Sequence, residues 1–388
     1  GTPLLAIGGT ASRLPRNCLV ARPLVGGERA RMTIFSATQI PGGRALAGRH
    51  PSATGLLVAA IVAVLGADQL LLWRFVGFAP WWLYMAGFVA VAAACVLAAR
   101  MAGRIATPGP SRGTVAACLA VALALYLLGG EGRLFYANID WQVRDAILRD
   151  MTVHPWPFAY TARGTAEMLR APLGMYLLPA LAGKVLGASA ADIALLLLNS
   201  VMLALVLGLA SMLFRDGKAA RRALVVFLLF SGLDVVGQLL VSLIRGAPFP
   251  DQIDKWADIR FSGHVVQAFW VPQHALSGWI TATFFLLWRD RRAPLGLLLA
   301  AVPLTGLWSP LALMGALPFA ALAAVHSLAE RSLRPSDILV PAVATALAGP
   351  ALLYLMAGGG TVGFRLMPMP PGLWLAFELI DVGPYLLA

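Results

Sequence analysis

The chain has 388 residues, of which 59% are hydrophobic and only 12% are charged, and its mean hydropathy is +0.78. A soluble globular domain carries roughly 25% charged residues, so this composition excludes one. The net charge of +12 does not indicate nucleic-acid binding, because the arginines lie in short clusters between apolar runs and form no basic face with interleaved aromatic residues. The composition therefore predicts an integral membrane protein.

The two ends of the chain differ from its middle. Residues 1–50 are basic, rich in glycine and proline and without helical periodicity, so we predict a flexible tail followed by a single transmembrane domain at 51–388. Met32 is the first methionine, and we expect residues 1–31 to precede the native start. The last apolar run reaches Ala388 without a polar tail, so we expect the chain to be a piece of a longer protein.

Ten apolar runs have about the 20-residue length that crosses a bilayer. Because they are continuous rather than alternating, they predict an all-α bundle of transmembrane helices. The predicted spans are 53–73, 80–99, 113–130, 191–214, 222–243, 266–288, 294–308, 310–328, 338–357 and 372–388. The apolar segment 172–188 is interrupted by Pro179, so it is either an extra short span or a helix that does not cross the membrane.

Basic clusters between the spans predict the orientation, since lysine and arginine concentrate in cytoplasmic loops. Five clusters fall on one side of the membrane if 172–188 does not cross it. Their members are Arg44 and Arg49; Arg100, Arg104 and Arg112; Arg215, Lys218, Arg221 and Arg222; Arg289, Arg291 and Arg292; and Arg331 and Arg334. This arrangement predicts a cytoplasmic N terminus and extracytoplasmic loops at 131–190, 244–265 and 358–371.

The predicted outer loop 131–190 contains an amphipathic helix, which we expect to lie at the membrane surface. Asn138 is a good N-cap for a helix that continues to about Thr152. Val143, Ile147 and Met151 share one apolar face of this helix.

Asp140 is the first candidate for chemistry in this loop. It follows the end of the third span, at the depth of a lipid headgroup, where a carboxylate can act as general base toward a hydroxyl or bind a divalent cation. The alternative is a solvated i,i+4 ion pair between Asp140 and Arg144, without chemistry. Asp145 and Arg149 are spaced as a second such pair, and Asp150 is predicted to be a solvated surface position.

The start of the sixth span is the second candidate site. Gln267, Trp270, Gln273 and His274 recur on one helical face at the membrane edge, where buried polar groups are costly and therefore favour a functional role. The alternative for His274 is a hydrogen bond to a neighbouring carbonyl that only packs helices together. Pro272 is expected to kink or start the helix.

Three further polar residues are candidates for binding a substrate. Asp234 lies within the fifth predicted span, and an intramembrane carboxylate is either functional or a hydrogen-bonded structural group. Lys255 and Arg260 lie in the polar outer stretch that follows, where their charges could bind a phosphate.

Two short motifs resemble the GT-C superfamily of membrane glycosyltransferases. One is Asn138-Ile-Asp140-Trp141 with the helix 139–152 that it begins. The other is Ala171-Pro-Leu-Gly-Met-Tyr-Leu-Leu-Pro-Ala180, of the type Pro-Leu-Gly-x-Tyr. The resemblance covers roughly residues 113–290 and departs from the family in two ways: the acidic loop follows the third span rather than the first, and no second acidic residue adjoins Asp140.

The resemblance implies a transferase of a bacterial inner membrane that takes a sugar from a polyprenyl-phosphate donor, among membrane lipids and other envelope proteins. Asp140 would be the base that activates an acceptor hydroxyl, and His274 would line the pocket or assist a metal. The implied substrate-binding residues are Arg144, Asp145, His154, Gln273, Lys255, Arg260 and Asp234. The resemblance leaves open whether a divalent cation, Mg²⁺ or Mn²⁺, takes part, because no second acidic residue adjoins Asp140.

Two other functions are open alternatives. A non-enzymatic carrier or flippase for lipids or solutes would be expected to show a repeat that relates its halves and polar breaks at mid-membrane. The candidate residues are concentrated instead at the outer edge, which favours chemistry on a lipid headgroup. A scaffold or assembly subunit is the third possibility.

Overall fold

A computed structural model describes residues 52–103, 109–214, 216–230, 234–246, 248, 262–357, 370–377 and 379–380. All of them belong to one unit of the chain, Ala45–Ala388. The predicted tail at 1–50 and the candidates Lys255 and Arg260 lie outside the described residues.

Within those ranges the regular secondary structure is helical, apart from an isolated antiparallel bridge between Tyr160 and Glu167, and turns and loops connect the helices. The α-helices are α1 Ala53–Val76, α2 Trp81–Gly103, α3 Arg112–Leu128, α4 Ile139–Val153, α5 Gly174–Leu186, α6 Ala188–Ala210, α7 Gly217–Leu229, α8 Asp234–Arg245, α9 His264–Trp270, α10 Pro272–Arg289, α11 Leu295–Thr305, α12 Pro310–Ala329, α13 Ser336–Met356 and α14 Pro371–Phe377. Two short 3₁₀ helices, Glu131–Arg133 and Ser211–Leu213, follow α3 and α6.

Five helices in the described part of the chain are long and apolar enough to cross a membrane. They are α1, α2, α6 with its 3₁₀ extension to Leu213, α12 and α13. Four shorter apolar helices accompany them: α3, α5, α11 and the part of α8 from Val236 to Arg245. This confirms the prediction of an all-α membrane protein.

The ends of the helices lie at two opposite ends of the bundle, and contacts between them show which ends lie together. At one end, the Thr54 hydroxyl lies 3.6 Å from the Met212 sulfur, and Asp337 accepts the backbone N–H of Gly296 at 2.9 Å. We call this the basic end, because the described members of four predicted clusters lie here: Arg100, Arg112, Lys218, Arg221, Arg222, Arg289, Arg291, Arg292, Arg331 and Arg334.

The opposite end carries α4 and the chain around it, and we call it the loop end. Tyr354, near the end of α13, donates a hydrogen bond to the carbonyl oxygen of Leu169. Phe75, near the end of α1, packs edge-on against Trp156 at 5.8 Å between ring centroids. The described chain between α3 and α6 therefore lies at the end opposite the basic clusters.

The prediction of a continuous fifth span at 222–243 is wrong. The chain forms two helices instead, with α7 ending at Leu229 and α8 beginning at Asp234. Phe230, the residue after α7, has an extended backbone with φ of −64° and ψ of 117°, so the helix does not continue through it. Asp234 is therefore the first residue of α8 rather than an interior residue of one long helix.

The sixth span, predicted at 266–288, is also divided. The rings of His264 in α9 and Trp279 in α10 are 5.4 Å apart, whereas a straight helix would separate these residues by about 22 Å. The chain therefore turns back at Val271, and α9 lies beside α10. Pro272 explains the break, since proline lacks an N–H and disfavours a helical residue before it. Its predicted role as a helix start is confirmed.

The segment predicted at 172–188 forms α5, which turns into α6 at Gly187. Its 13 residues rise about 20 Å, less than the roughly 30 Å of a hydrocarbon core. A methyl group added to Gly183 would lie 2.7 Å from both Thr152 and Ala191, so α5 packs tightly between α4 and α6.

Candidate functional site

Helix α4 is attached to the reversal between α9 and α10 through its first turn. Asn138 caps the helix as predicted, accepting the backbone N–H of Trp141 at 3.0 Å. The Asn138 amide and the Trp141 indole both donate to the carbonyl oxygen of Phe269, at 3.2 and 3.0 Å. The last carbonyl groups of a helix have no hydrogen-bond partner within that helix. Because α9 ends at the break before Val271, these two side chains supply the partners that the Phe269 carbonyl would otherwise lack.

Arg144 makes the same kind of attachment one turn further along α4. Its guanidinium donates to the Gln273 side-chain oxygen at 2.8 Å and to the Trp270 carbonyl oxygen at 2.6 Å. The ring of Trp141 lies 5.7 Å from the guanidinium carbon. Only 12% of the Arg144 side chain is exposed. A guanidinium has five N–H donors, so these contacts fix its position and leave donors for a ligand.

A cleft of about 250 Å³ opens beside Arg144 at the loop end. It is lined by Asp140, Val143, Arg144, Ile147, Ala171, Pro172, Tyr176 and Gln273. The carboxylate of Asp140 is 43% exposed and lies 4.0 Å from the Arg144 guanidinium. Three of the predicted site residues, Asp140, Arg144 and Gln273, thus meet in one cleft, and the second GT-C-like motif contributes Ala171, Pro172 and Tyr176.

His274 does not line this cleft. Its Nδ1 lies 2.7 Å from the Ser309 hydroxyl, which also accepts the backbone N–H of Ala312 and so caps α12. The neighbouring Gln273 points toward Arg144 instead. His274 therefore links α10 to the start of α12, and its catalytic role stays a prediction.

Asp145 makes a different ion pair from the one its spacing predicts. It lies 3.6 Å from Arg133, which comes from the 3₁₀ helix before α4, and its side chain is 15% exposed. Burial raises the pKa of Asp145 to about 6, although Arg133 opposes the shift and the nearby Asp192 adds to it. Asp145 does not line the cleft, so the structure does not bring it together with Asp140 and Gln273.

The remaining predicted binding residues are spread through the fold. His154 follows the end of α4, where its ring lies 5.2 Å from that of Phe158 and its carbonyl oxygen accepts from Lys184. Asp234 is buried at the start of α8. Asp150, predicted to be solvated, is half-buried and accepts a hydrogen bond of 2.7 Å from Tyr160, so that prediction is wrong.

Glu131 is a buried carboxyl that sequence reasoning missed. It is 1% exposed, and its Oε1 accepts a hydrogen bond of 2.5 Å from the Asn199 amide. The flanking Gly130 and Gly132 have φ of 91° and 79°, in the left-handed region where glycine is favoured. The run Gly129-Gly130-Glu131-Gly132 was the available signal, because glycines on both sides permit a turn that directs one side chain inward.

Asp68 is a second buried carboxyl for which sequence alone gave no partner. It is fully buried in α1 and accepts a hydrogen bond of 2.7 Å from the Trp308 indole. The next residue, Gln69, donates to the Leu304 carbonyl oxygen at 3.1 Å. These two bonds join α1 to the end of α11, which is a structural role.

The surroundings of Asp140 do not fit a protein-bound divalent cation. The single carboxylate has the positive guanidinium of Arg144 4.0 Å away, which opposes a second positive charge. Among the described residues, no group of three or more His, Cys, Asp or Glu side chains is placed to hold a metal ion. The chemistry inferred for Asp140 below therefore uses its carboxylate alone.

Comparisons of this chain with protein families, with characterised proteins and with solved structures found no match. What the cleft does must be inferred from its own geometry.

Proposed function

We propose that this chain is a membrane glycosyltransferase of the GT-C type, which transfers a sugar from a polyprenyl-phosphate donor to an acceptor on the extracytoplasmic side. One observation carries the proposal: a carboxylate and a fixed guanidinium, Asp140 and Arg144, share one cleft. A sugar phosphate needs a cation for its phosphate and a base for the attacking hydroxyl, and this cleft offers one of each.

The position of the cleft suits a donor held in the membrane. Val143 lines the cleft and is 63% exposed, and Ile139 and Phe135 nearby in the chain are 68% and 74% exposed. Such apolar side chains, on α4 and in the chain just before it, can contact lipid chains where the helix lies along the bilayer. We infer that the prenyl chain lies against this surface while the phosphate reaches Arg144.

The proposed reaction is a direct displacement at the sugar. Asp140 takes the proton of the acceptor hydroxyl as the new bond forms between the acceptor oxygen and the anomeric carbon. The bond from that carbon to the phosphate oxygen breaks, and the polyprenyl phosphate leaves with the electron pair. Arg144 stabilises the charge that develops on the departing phosphate.

We also propose the membrane arrangement that this function needs. The chain would cross a bacterial inner membrane about ten times, with a cytoplasmic N terminus and the loop 131–190 outside. The support is that the cleft lies at the loop end, opposite the basic end with its arginine clusters, and basic clusters favour the cytoplasm. Its partners would be membrane lipids and other envelope proteins.

A carrier for lipids or solutes is the second candidate. It is favoured by the division of the predicted fifth and sixth spans, because discontinuous helices form the binding sites of many transporters. The break at Val271, however, lies at the loop end, and its carbonyls are occupied by Asn138, Trp141 and Arg144.

One experiment separates the two candidates. The purified protein in liposomes is given a polyprenyl-phosphate sugar together with membrane extract as a source of acceptor. We expect release of free polyprenyl phosphate, a product that does not depend on which acceptor is used. Intact donor that moves between leaflets without being consumed would support the carrier instead.

A further inference from the structure

Gln273 is a nearly buried polar side chain in the wall of the cleft. It is 6% exposed and lines the cleft together with Asp140 and Arg144. Its side-chain oxygen Oε1 accepts a hydrogen bond of 2.8 Å from Nη1 of Arg144. A guanidinium can only donate, so the oxygen of the amide, and not its nitrogen, lies on the side of Arg144. This contact therefore fixes which way the amide is turned.

The amide nitrogen of Gln273 is left for a ligand. Nε2 carries two N–H donors, and no residue in the described ranges accepts a hydrogen bond from it. Nε of Arg144 is sealed from solvent without a partner, whereas Nε2 of Gln273 is not sealed and faces the cleft that the side chain lines. A donor in so buried a side chain costs free energy unless a group accepts from it. The fixed amide thus presents its N–H groups to whatever fills the cleft.

The start of α10 favours an anion at the same place. Gln273 is the second residue of α10, which begins at Pro272 after the reversal at Val271. The first N–H groups of a helix have no partner within the helix, so its N-terminal end carries a partial positive charge that attracts anions. Because Gln273 lines the cleft, this end of α10 lies at the cleft wall, beside Arg144.

The Gln273 amide and the Arg144 guanidinium are close enough to bind one phosphate group. The oxygen and nitrogen of an amide are roughly 2.2 Å apart, so Nε2 of Gln273 lies within about 5 Å of Nη1 of Arg144. A phosphate has oxygens on several sides of its phosphorus atom and can accept from both groups at once. A sugar hydroxyl lacks the negative charge that the guanidinium and the helix end both favour. A phosphate is therefore the better partner for the amide.

We infer that the phosphate of the donor binds at the N-terminal turn of α10, where Gln273 Nε2 and Arg144 donate hydrogen bonds to different phosphate oxygens. The inference rests on the part of the proposed function that places a phosphate at Arg144, and not on the transfer reaction. Gln273 then has two tasks, because its oxygen holds Arg144 in position and its nitrogen holds the ligand.

The test compares two ligands that share a prenyl chain, using calorimetry on the full chain in detergent. Farnesyl methyl phosphate is a singly charged phosphate diester without a sugar, and farnesyl methyl ether lacks the phosphate. Gln273→Met removes the amide without adding a charge, and Gln273→Glu keeps an oxygen for Arg144 but removes the N–H donors. We expect both variants to bind the phosphate probe roughly 10- to 100-fold more weakly, as the loss of one hydrogen bond to a charged group predicts. Their affinity for the ether should not change.

The matched control is Gln142→Glu. Gln142 is an exposed residue of α4 that does not line the cleft, so this variant adds the same charge nearby without touching the ligand. We expect it to bind both probes as the wild type does.

The other outcomes separate failure of the inference from failure of the proposed function. Weaker binding in Gln273→Met alone would show that Gln273 only anchors Arg144, and weaker binding in Gln273→Glu alone that only the added charge matters. Either result, or unchanged binding in both variants, overturns the inference and leaves the proposed function intact. An equal loss of affinity for the ether overturns it too, because a purely structural role would affect both probes alike. Failure of the wild type to bind the phosphate probe overturns both proposals.

The pair of variants also covers a failure to fold. Gln273→Met deprives Arg144 of an acceptor, whereas Gln273→Glu supplies one. If Gln273→Met does not fold, Gln273→Glu is compared with Gln142→Glu. Equal affinities of these two variants for the phosphate probe would overturn the inference, and weaker binding by Gln273→Glu would support it.

Discussion

The guanidinium of Arg144 donates a hydrogen bond of 2.6 Å to the carbonyl oxygen of Trp270, the last residue of α9. This bond joins the amphipathic helix α4 to the point where the chain turns back toward the basic end. It also holds the guanidinium at the wall of the cleft. The same contact thus stabilises the reversal between α9 and α10 and positions the guanidinium that we propose binds the donor phosphate.

Replacing Arg144 by lysine should therefore impair both stability and transfer. Lysine keeps the charge but cannot bond Gln273 and the Trp270 carbonyl at once in the planar geometry of a guanidinium. Loss of one charge-assisted bond costs about 1.5–3 kcal/mol, or roughly 10- to 100-fold in transfer if the phosphate is misplaced. Donor turnover and the melting temperature in detergent would measure the two effects. Arg149→Lys on the exposed side of α4 is the matched control and should change neither.

The indole of Trp141 should stabilise the fold without taking part in the proposed reaction. Trp141 is 1% exposed and donates to Phe269, which keeps its bond from Asn138 when the indole is removed. We expect Trp141→Phe to lower the free energy of unfolding by about 1–3 kcal/mol, from one lost hydrogen bond and a small cavity. Trp81, which is 78% exposed on α2, provides the control. Equal melting temperatures for Trp141→Phe and Trp81→Phe would show that the attachment of α4 does not depend on this bond.

The pKa of Asp145 predicts how stability changes with pH. Because its pKa is about 6 in the folded protein and about 4 in an unfolded chain, the folded state binds the proton more tightly. Its contribution to stability is present below about pH 4 and is lost as the pH rises through 6. Between pH 4 and 8, the melting temperature of the wild type should therefore fall relative to that of Asp145→Asn. A constant difference between the two proteins would contradict the raised pKa.

The proposed orientation is tested by labelling from outside intact cells. Single cysteines are placed at Ala162 and Gly217, which are both exposed, after the three native cysteines have been replaced. We expect a membrane-impermeant maleimide to label position 162 at the loop end and to spare position 217 at the basic end. Labelling of position 217 alone would place the basic end outside and reverse the topology.

Local sequence signals predicted α4 well, and the reason is physical. Its N-cap, Asn138, and its helical periodicity depend only on residues that are close together in the sequence. The helix Ile139–Val153 ends within one residue of the predicted Thr152. The predicted apolar face is only partly buried within the protein: Met151 is buried, whereas Val143 is 63% exposed. In a membrane protein, an apolar side chain can face lipid as easily as the core, so periodicity alone does not identify the buried side.

The divided spans and the buried acid could not be predicted from hydropathy. The apolar run 266–288 is long enough for one continuous helix. The reversal at Val271 depends on donors for the carbonyl groups that it frees, and these donors are Asn138 and Trp141, which are distant in the sequence. Glu131 was assigned to the loop because it follows an apolar run, whereas the left-handed glycines beside it turn it inward. Both features depend on tertiary contacts rather than on local composition.

The central claim is that Asp140 is the base of a sugar transfer in this cleft. The most direct measurement compares donor turnover by the wild type, Asp140→Asn and Glu167→Gln, with polyprenyl-phosphate sugar and membrane extract in liposomes. Glu167 is a half-exposed acid of the same loop that pairs with Arg163, so it controls for loss of a charge. We expect Asp140→Asn to lower turnover by about 10²–10⁴-fold at equal protein abundance, since the amide cannot accept the proton, and Glu167→Gln to leave it unchanged. Near-normal turnover by Asp140→Asn would contradict the claim.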